Sequence, residues 1–359
     1  MEFAVNWEIK SECASVISGV PQGSVLGPLL FVIMMGDIDD DILYAFLSSF
    51  ADDTRTSKEI KSLIDSFMLQ HDLYQIYKWA ELNNMEFNNC KFEHMQYGKN
   101  VELRDQSYYF ASNGKAIEKK QHVKDLGVLM SDDCSFSEHI KKVVKKAEEM
   151  SGWILRTFNT RSPEPMLTLW KSLVIPHLDY CSQLWSPRTK GEIQNLEMTQ
   201  RSFVRRIEGL AQYSYWEQLK LLNLFSVERR RERYMVLYVW YIIEGMVPNI
   251  SDTDGIKTKS HVRHGRKCVV PIVKRSPYAD AIEASLRVHG AKLFNAMPGN
   301  IRNLTGCTKE EFKNKLDEVL WKIPDEPQLR RYTSQRRADS NSILDMICLS
   351  SVGLNELDM

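Results

Sequence analysis

The chain lacks the features that mark secreted, disulfide-bonded and membrane proteins. Its seven cysteines are odd in number and form no CxxC pair, which argues against a disulfide framework or a zinc knuckle. The longest apolar run, residues 25–35, is interrupted by Gly27 and Pro28 and is too short to span a membrane. The first ten residues carry two glutamates and no basic cluster, unlike a secretory signal. We therefore expect a nuclear or cytoplasmic protein without a transmembrane segment.

Low-complexity composition is also absent, because 17 glycines and 12 prolines accompany 43% hydrophobic residues in a chain of 359. At roughly 150 residues per domain, this length predicts two to three folding units. The 47 basic and 47 acidic residues cancel but are segregated, since residues 1–53 hold nine acids and one lysine. Residues 201–300 hold seventeen basic residues and nine acids. Such segregation suits a site that holds a divalent metal next to a surface that holds phosphate, with solvated faces as the alternative.

The hydrophobic pattern divides the chain into a mixed part and a helical part. Up to residue 134, short β-branched or alternating runs and one helical stretch predict a sheet with helices on one face. Beyond it, apolar residues at helical spacing predict helices over 135–158, 162–175, 189–209 and 226–245, the second ending before Pro176. Residues 257–275 are predicted to form a basic loop or hairpin, residues 278–294 and 308–321 are candidate helices, and the tail beyond Pro327 is poorly patterned.

Asp52 and Asp53 are the best metal-binding candidates in the sequence. They follow the apolar and aromatic run 43–50, which predicts a strand that enters a tight turn. Magnesium binds oxygen ligands and commonly uses one or two protein carboxylates together with substrate phosphates. An aspartate-rich turn without a metal is the alternative, because aspartate favours turns through its own backbone hydrogen bonds.

Two runs in fixed order carry a resemblance to a known family. Residues 19–31 read Gly-Val-Pro-Gln-Gly-Ser-Val-Leu-Gly-Pro-Leu-Leu-Phe, and residues 50–53 read Phe-Ala-Asp-Asp. Together they resemble the reverse transcriptases of non-LTR retrotransposons, particularly the jockey-like LINE elements. The likeness spans roughly residues 5–321 and becomes weaker beyond Pro248. Within this range it includes residues 79–98, 125–128, 176–180, Trp185 and 200–201.

The resemblance implies an α+β fold with a defined domain order. Residues 1–134 would form a partial polymerase palm, an antiparallel sheet with helices. Residues 135–248 would form a helical, thumb-like subdomain, followed by a basic C-terminal region over 249–326 and a poorly patterned tail over 327–359.

The resemblance also assigns roles in a polymerase active site. Asp52 would ligate two Mg²⁺ (or Mn²⁺) ions with Asp53 beside them, and the ions would drive phosphoryl transfer. Lys91 would neutralise or protonate the departing pyrophosphate, although a solvated surface lysine is the alternative. The residues implied to lie near the incoming nucleotide, the template base and the growing end are Pro21, Gln22, Gly23 and Phe50.

The likeness further implies contacts to a primer and template. Leu126 and Gly127 match the hairpin that grips the primer. A helix that resembles a thumb helix would contact the duplex backbone through Lys141, Lys142, Lys145 and Lys146. The alternative is a solvated helix face. The basic stretches 229–233 and 257–275 are further candidates for nucleic-acid contact, although the first shares its helix with an apolar stripe.

These features predict part of a LINE-type reverse transcriptase, with an RNA template, a DNA primer and deoxynucleotide triphosphates as partners. Protein partners are unknown. Polymerases of this family need a third carboxylate from an aspartate box several tens of residues upstream of Gly19, and Glu2, Glu8 and Glu12 match no such pattern. We therefore expect incompletely ligated metal and an inactive fragment. The alternatives are a non-catalytic nucleic-acid-binding module and the product of a decayed element.

Overall fold

The computed structural model divides into two compact units, the N-terminal unit over residues 1–123 and the C-terminal unit over residues 124–359. It describes residues 5–6, 9–10, 19, 23–98, 100–249, 255–261, 265–326 and 341–349. Helices dominate, and the strands form small two-stranded sheets. The α+β class predicted from the sequence is confirmed at this level. In the described part of the chain, no helix is long and apolar enough to cross a membrane.

The N-terminal unit is built around the long helix α2 (Leu63–Leu82). A capping box starts this helix, because Asp65 Oδ2 accepts hydrogen bonds from the backbone N–H (2.9 Å) and the hydroxyl (2.9 Å) of Ser62. Its buried Tyr77 forms an aromatic group with Phe87 and Phe92, with ring centroids 5.4–5.9 Å apart. The other elements are α1 (Gly27–Met34), α3 (Val101–Gln106), β1 (Val5–Asn6), β2 (Ile9–Lys10), β3 (Phe46–Phe50), β4 (Asp53–Ser57), β5 (Glu93–His94) and β6 (Glu118–Lys119).

The strands of the N-terminal unit pair two by two. β1 pairs with β2 and β3 with β4, both antiparallel, whereas β5 and β6 are parallel. The prediction of one continuous sheet is therefore wrong for the described residues. Four of these strands are only two residues long, so they offer too few backbone groups to join further neighbours into a wider sheet.

α1 takes its helical form from local signals, since most of its apolar side chains remain exposed. Ser24 Oγ accepts a hydrogen bond from the N–H of Gly27 at 3.0 Å, and Pro28 occupies the first turn. Ile33 on this helix is 66% exposed. The described part of the N-terminal unit therefore does not bury this helix.

The first half of the C-terminal unit packs helices around one apolar core. β7 (His122–Asp125), whose first two residues precede the unit boundary, pairs with β8 (Val128–Ser131), and the chain then enters the helical region. Buried Trp170 stacks on Phe203 in this core, with ring centroids 4.6 Å apart. The helices are α4 (Ser137–Thr157), α5 (Pro163–Leu169), α6 (Ile175–Asp179), α7 (Lys190–Val204) and α8 (Tyr215–Leu221).

The prediction that the second helix ends before Pro176 is wrong. A π-helical stretch, residues 170–174, joins α5 to α6, and Pro176 lies in the first turn of α6. The wider π turn changes the backbone hydrogen-bond pattern just before the proline, which has no N–H to donate and would clash in an unbroken α-helix. The helical path therefore continues to Asp179.

The second half of the C-terminal unit forms a separate apolar core around α9 (Val227–Ile243). Trp240 of this helix stacks on Phe312 at a centroid distance of 4.1 Å and an interplanar angle of 8°. The predicted basic loop or hairpin over 257–275 is here the antiparallel pair β9 (Thr258–His261) and β10 (Gly265–Cys268). The remaining helices are α10 (Ala279–Glu283), α11 (Ala291–Ala296), α12 (Gly299–Arg302), α13 (Lys309–Leu320) and α14 (Ile343–Leu349), with a π-helical turn over residues 286–290.

α9 buries a row of charged residues. Its arginines at 229, 230, 231 and 233 are at most 7% exposed. Arg230 Nε binds Asp179 at 2.9 Å, and Arg231 lies 3.9 Å from the centroid of the Trp185 ring. Arg233 donates to Asp317. The interpretation of this stretch as a nucleic-acid-binding surface is therefore wrong, because these guanidinium groups hold the helices of the unit together.

A buried carboxylate accepts hydrogen bonds from the first turn of α9. Glu197 Oε2 accepts hydrogen bonds from the N–H groups of Val227 at 2.9 Å and Glu228 at 3.4 Å. The hydroxyl of Tyr215 donates to its other oxygen. Burial raises the pKa of Glu197 to about 7 despite these donors. Glu197 therefore joins α7, α8 and α9 through one side chain.

Candidate nucleic-acid interface

The β3–β4 hairpin carries the predicted metal-binding carboxylates at its tip. Phe50 and Asp53 face each other across the strands, so the turn consists of Ala51 and Asp52 alone. Ala51 has φ 52°, in the left-handed region that such tight hairpin turns require. Both aspartates are exposed, and Phe50 beside them is 68% exposed. The hairpin therefore presents two consecutive carboxylates and an aromatic ring to solvent.

A buried carboxylate of α2 fixes the chain just before this hairpin. Asp72 accepts backbone N–H groups from Leu43 at 3.3 Å, Tyr44 at 2.8 Å and Ala45 at 2.7 Å, and it is 0% exposed. Burial alone would raise its pKa, but the N–H donors outweigh burial and hold the pKa below its usual value. Asp72 could not be identified from the sequence, because its partners lie almost thirty residues away and no local pattern indicates them.

The tip offers the donor atoms that a hard divalent cation prefers, since Mg²⁺ and Mn²⁺ take carboxylate oxygens. Two adjacent carboxylates suit part of such a site, with substrate phosphates as further ligands. In the ranges that the structure describes, no group of three or more His, Cys, Asp or Glu side chains is placed to hold a metal. Asp52 and Asp53 therefore fit a metal site that needs ligands beyond themselves.

The other residues assigned to nucleotide binding are only partly described. Pro21 and Gln22 lie outside the described residues. Gly23 is exposed with φ 81°, a backbone conformation that favours glycine, and it precedes α1. Lys91 is exposed, and its N–H closes a turn onto the carbonyl of Asn88 at 2.9 Å. One of the assigned residues, Phe50, lies beside Asp53 because β3 pairs with β4.

The turn between β7 and β8 is held by a tyrosine. Leu126 and Gly127 both have positive φ, 42° and 88°, which forms a tight hairpin turn. The hydroxyl of Tyr180, just after α6, donates to the carbonyl of Leu126 at 2.7 Å. A Cβ at Gly127 would lie 3.3 Å from the Tyr180 ring, so a glycine allows this close approach. Tyr180 thus fixes the turn assigned to primer contact.

α4 has a buried side and a basic side. Burial lowers the pKa of His139 to about 4, so this side chain is neutral at physiological pH and adds no charge. The buried side consists of His139, Ile140, Ala147, Ser151 and Ile154. The four predicted phosphate contacts are all exposed, namely Lys141, Lys142, Lys145 and Lys146. The structure therefore places these lysines on the solvent side of a helix that is anchored by its opposite side.

Ion pairing divides these lysines into two groups. Lys141 contacts Glu138 at 2.7 Å, and Lys146 lies 4.0 Å from Glu149. Lys142 and Lys145 form no ion pair with any residue in the described part of the chain. These two lysines are therefore the best placed to bind phosphate without first giving up a protein carboxylate.

The β3–β4 hairpin lies within the part of the chain that matches a known family. Residues 3–130 match the sequence model of the family described as reverse transcriptase (RNA-dependent DNA polymerase). No solved structure gives a significant match.

Several curated relatives are proteins of mobile elements. The RNA-directed DNA polymerase from mobile element jockey of Drosophila melanogaster is 28% identical over 57% of this chain and 23% of its own length. The probable RNA-directed DNA polymerase from transposon X-element of the same organism is 26% identical, over 61% of this chain and 25% of its own length. A Pol polyprotein from the type-1 element R1 of Nasonia vitripennis is 25% identical over 46% of this chain and 43% of its own length.

The chain spans about a quarter of the length of the first two relatives. The family match covers the hairpin with Asp52 and Asp53, and the jockey-type alignments extend over more than half of the chain. The chain is thus similar in sequence to the RNA-directed DNA polymerases of non-LTR retrotransposons, and its first third carries the match to the reverse transcriptase family.

Proposed function

We propose that the chain is the palm-hairpin and thumb portion of an RNA-directed DNA polymerase of a LINE-type element. The observation that carries this proposal is the exposed β3–β4 tip with Asp52 and Asp53, within the residues that match the reverse transcriptase family. The substrates of such an enzyme are an RNA template, a DNA primer and deoxynucleotide triphosphates. Asp52 and Asp53 are its metal-binding carboxylates, and Phe50 packs near the growing end.

The carboxylate tip supplies part of a two-metal site. Bound Mg²⁺ would hold the triphosphate and activate the primer 3′ hydroxyl. Asp52 and Asp53 need further ligands for this geometry, and the described residues bring no third such side chain to the tip. We therefore assign primer-template binding, without catalysis, to the chain acting alone.

α4 supplies the binding surface in this proposal. Lys142 and Lys145 are exposed and unpaired within the described residues, and phosphate contacts of such lysines are independent of sequence and sensitive to salt. The Leu126–Gly127 turn, fixed by Tyr180, grips the primer strand. A non-catalytic nucleic-acid-binding module, the second candidate function, is supported by this same lysine surface.

Removing the two unpaired lysines tests duplex binding. In the variant Lys142→Gln/Lys145→Gln, we expect the slope of log affinity against log salt to fall by about 1.8, at about 0.9 per lost phosphate contact. Fluorescence anisotropy with a labelled RNA–DNA primer-template measures this slope over a salt series. The control variant Lys315→Gln/Lys322→Gln removes the same charge from exposed positions on and just after α13 and should keep the original slope. No measurable affinity at low salt, or equal slopes in all three proteins, would contradict the proposal.

Primer extension on the same substrate tests the carboxylate tip. We expect no Mg²⁺-dependent DNA synthesis by the 359-residue chain alone, because two carboxylates do not complete a two-metal site. Robust synthesis that is lost in Asp52→Asn would contradict inactivity and support the role of the tip. Synthesis that persists in Asp52→Asn would contradict the assignment of Asp52 as a metal ligand.

A further inference from the structure

An exposed tryptophan lies on the basic side of α4. Trp153 is 44% exposed, whereas Trp170, Trp185 and Trp240 of the same unit are fully buried. The ring of Phe158 meets it edge to face, at a centroid distance of 6.0 Å and an interplanar angle of 85°. This contact fixes the indole orientation while leaving much of its surface open to solvent.

Helical spacing places Trp153 in line with the lysines. At 3.6 residues per turn, positions 142, 146 and 153 fall within an arc of roughly 40° around the helix axis. From Lys142 to Trp153 this arc runs for roughly 16 Å, the length of about five stacked nucleotides at about 3.4 Å each. Glu149 lies about 20° outside this arc and is partly neutralised by Lys146, 4.0 Å away.

An arginine extends the basic side beyond the tryptophan. Arg156 is exposed, and a Cβ at Gly152 would lie 3.1 Å from its Nη1 atom, so the guanidinium folds back over the turn that carries Trp153. Glycine inside a helix is unfavourable relative to alanine. Here the missing Cβ leaves room for the Arg156 guanidinium next to Gly152.

We propose that Trp153 stacks on an unpaired base of a nucleic-acid strand whose phosphates lie against Lys142, Lys146 and Arg156. Lysine, arginine and an open aromatic ring on one helix side are the combination that binds single strands, the cations contacting phosphates and the ring contacting a base. The base must be unpaired, because neighbouring pairs cover both faces of a base within a duplex. This inference rests on the proposed function and adds a single-stranded segment, next to the duplex, to what α4 binds.

Replacing the indole separates this site from duplex binding. The three probes are a blunt RNA–DNA duplex, the same duplex with a single-stranded template overhang, and the single strand alone, each measured by fluorescence anisotropy. We expect Trp153→Leu to lower the affinity for the single strand by about fivefold or more. The extra affinity that the overhang gives over the blunt duplex should fall by about the same factor. Affinity for the blunt duplex and its salt slope should remain unchanged. Trp153→Phe should restore most of the loss because it keeps an aromatic face. Tyr213→Leu, which removes another exposed aromatic side chain of the C-terminal unit, is the matched control and should bind like the unaltered chain.

The outcomes separate the two proposals. Loss of single-strand affinity in Trp153→Leu, with rescue in Trp153→Phe, supports the stacking site. Equal single-strand affinity in Trp153→Leu and the unaltered chain, while the blunt duplex still binds, would overturn the stacking site and leave the proposed function intact. If the unaltered chain binds none of the three probes at low salt, both proposals are wrong.

Discussion

Replacing Arg229 by methionine should destabilise the C-terminal unit by about 4 kcal/mol, since each buried acceptor left without a partner costs about 1–3 kcal/mol, without full additivity. Arg229 is 0% exposed, and its guanidinium donates to four backbone carbonyls. Methionine has a similar length but no donor, so four buried acceptors would lose their partner. The acceptors belong to Leu320, Ile323, Pro324 and Asn341.

Urea unfolding followed by far-UV circular dichroism measures this effect. The matched control is Arg275→Met, an exposed arginine of the same unit whose loss should change the free energy of unfolding by no more than about 0.5 kcal/mol. An Arg229→Met variant as stable as the control would show that the carbonyls at the end of α13 find other partners.

Replacing Asp72 by asparagine should cost the N-terminal unit about 3 kcal/mol. The carboxylate accepts three backbone N–H groups, and hydrogen bonds to a charged acceptor contribute about 1.5–3 kcal/mol each, without full additivity. An amide offers one oxygen and directs an NH₂ group at the remaining donors. Asp105→Asn, an exposed aspartate of the same unit, is the control and should be almost neutral.

The same pair of variants gives a pH test with a defined sign. The folded pKa of Asp72 lies below its usual value, so its stabilisation is present above the unfolded pKa of about 3.9 and is lost as the pH falls through the folded pKa. We therefore expect the difference in unfolding free energy between Asp72→Asn and Asp105→Asn to shrink below about pH 4. A difference that stays constant down to pH 2 would contradict a depressed pKa at Asp72.

Local signals predicted the helices that begin at a cap. Thr189 and Thr308 head capping boxes, and Ser226 accepts the N–H of Arg229, so α7, α9 and α13 begin within a residue of their predicted starts. The β3–β4 tip follows the same logic, because an apolar and aromatic run followed by consecutive aspartates predicts a strand and a turn. For these elements, all of the deciding information lies within a few neighbouring residues.

Contacts between residues far apart in sequence could not be predicted from the local sequence pattern. A run of arginines predicts a solvated or phosphate-binding surface unless buried partners are known, and Asp179 and Asp317 lie far from α9 in sequence. The hydrogen bond from Tyr180 to Leu126 joins residues 54 apart. Asp72 was missed for the same reason. In each case, a polar side chain binds a backbone group or a charged side chain that lies close to it only in the folded chain.

Residues 341–343, which follow α13 in the described part of the chain, cover two carboxylates of α9 and part of an apolar core. Glu228 accepts the N–H of Asn341 at 2.8 Å, and Glu232 accepts the hydroxyl of Ser342 at 2.6 Å, while Ile343 is completely buried. A nonsense codon shortly before position 341 would leave a product with uncovered carboxylates and an open apolar core. Late truncation of the message should therefore yield a poorly folded polypeptide that cellular proteases remove, as an early truncation would.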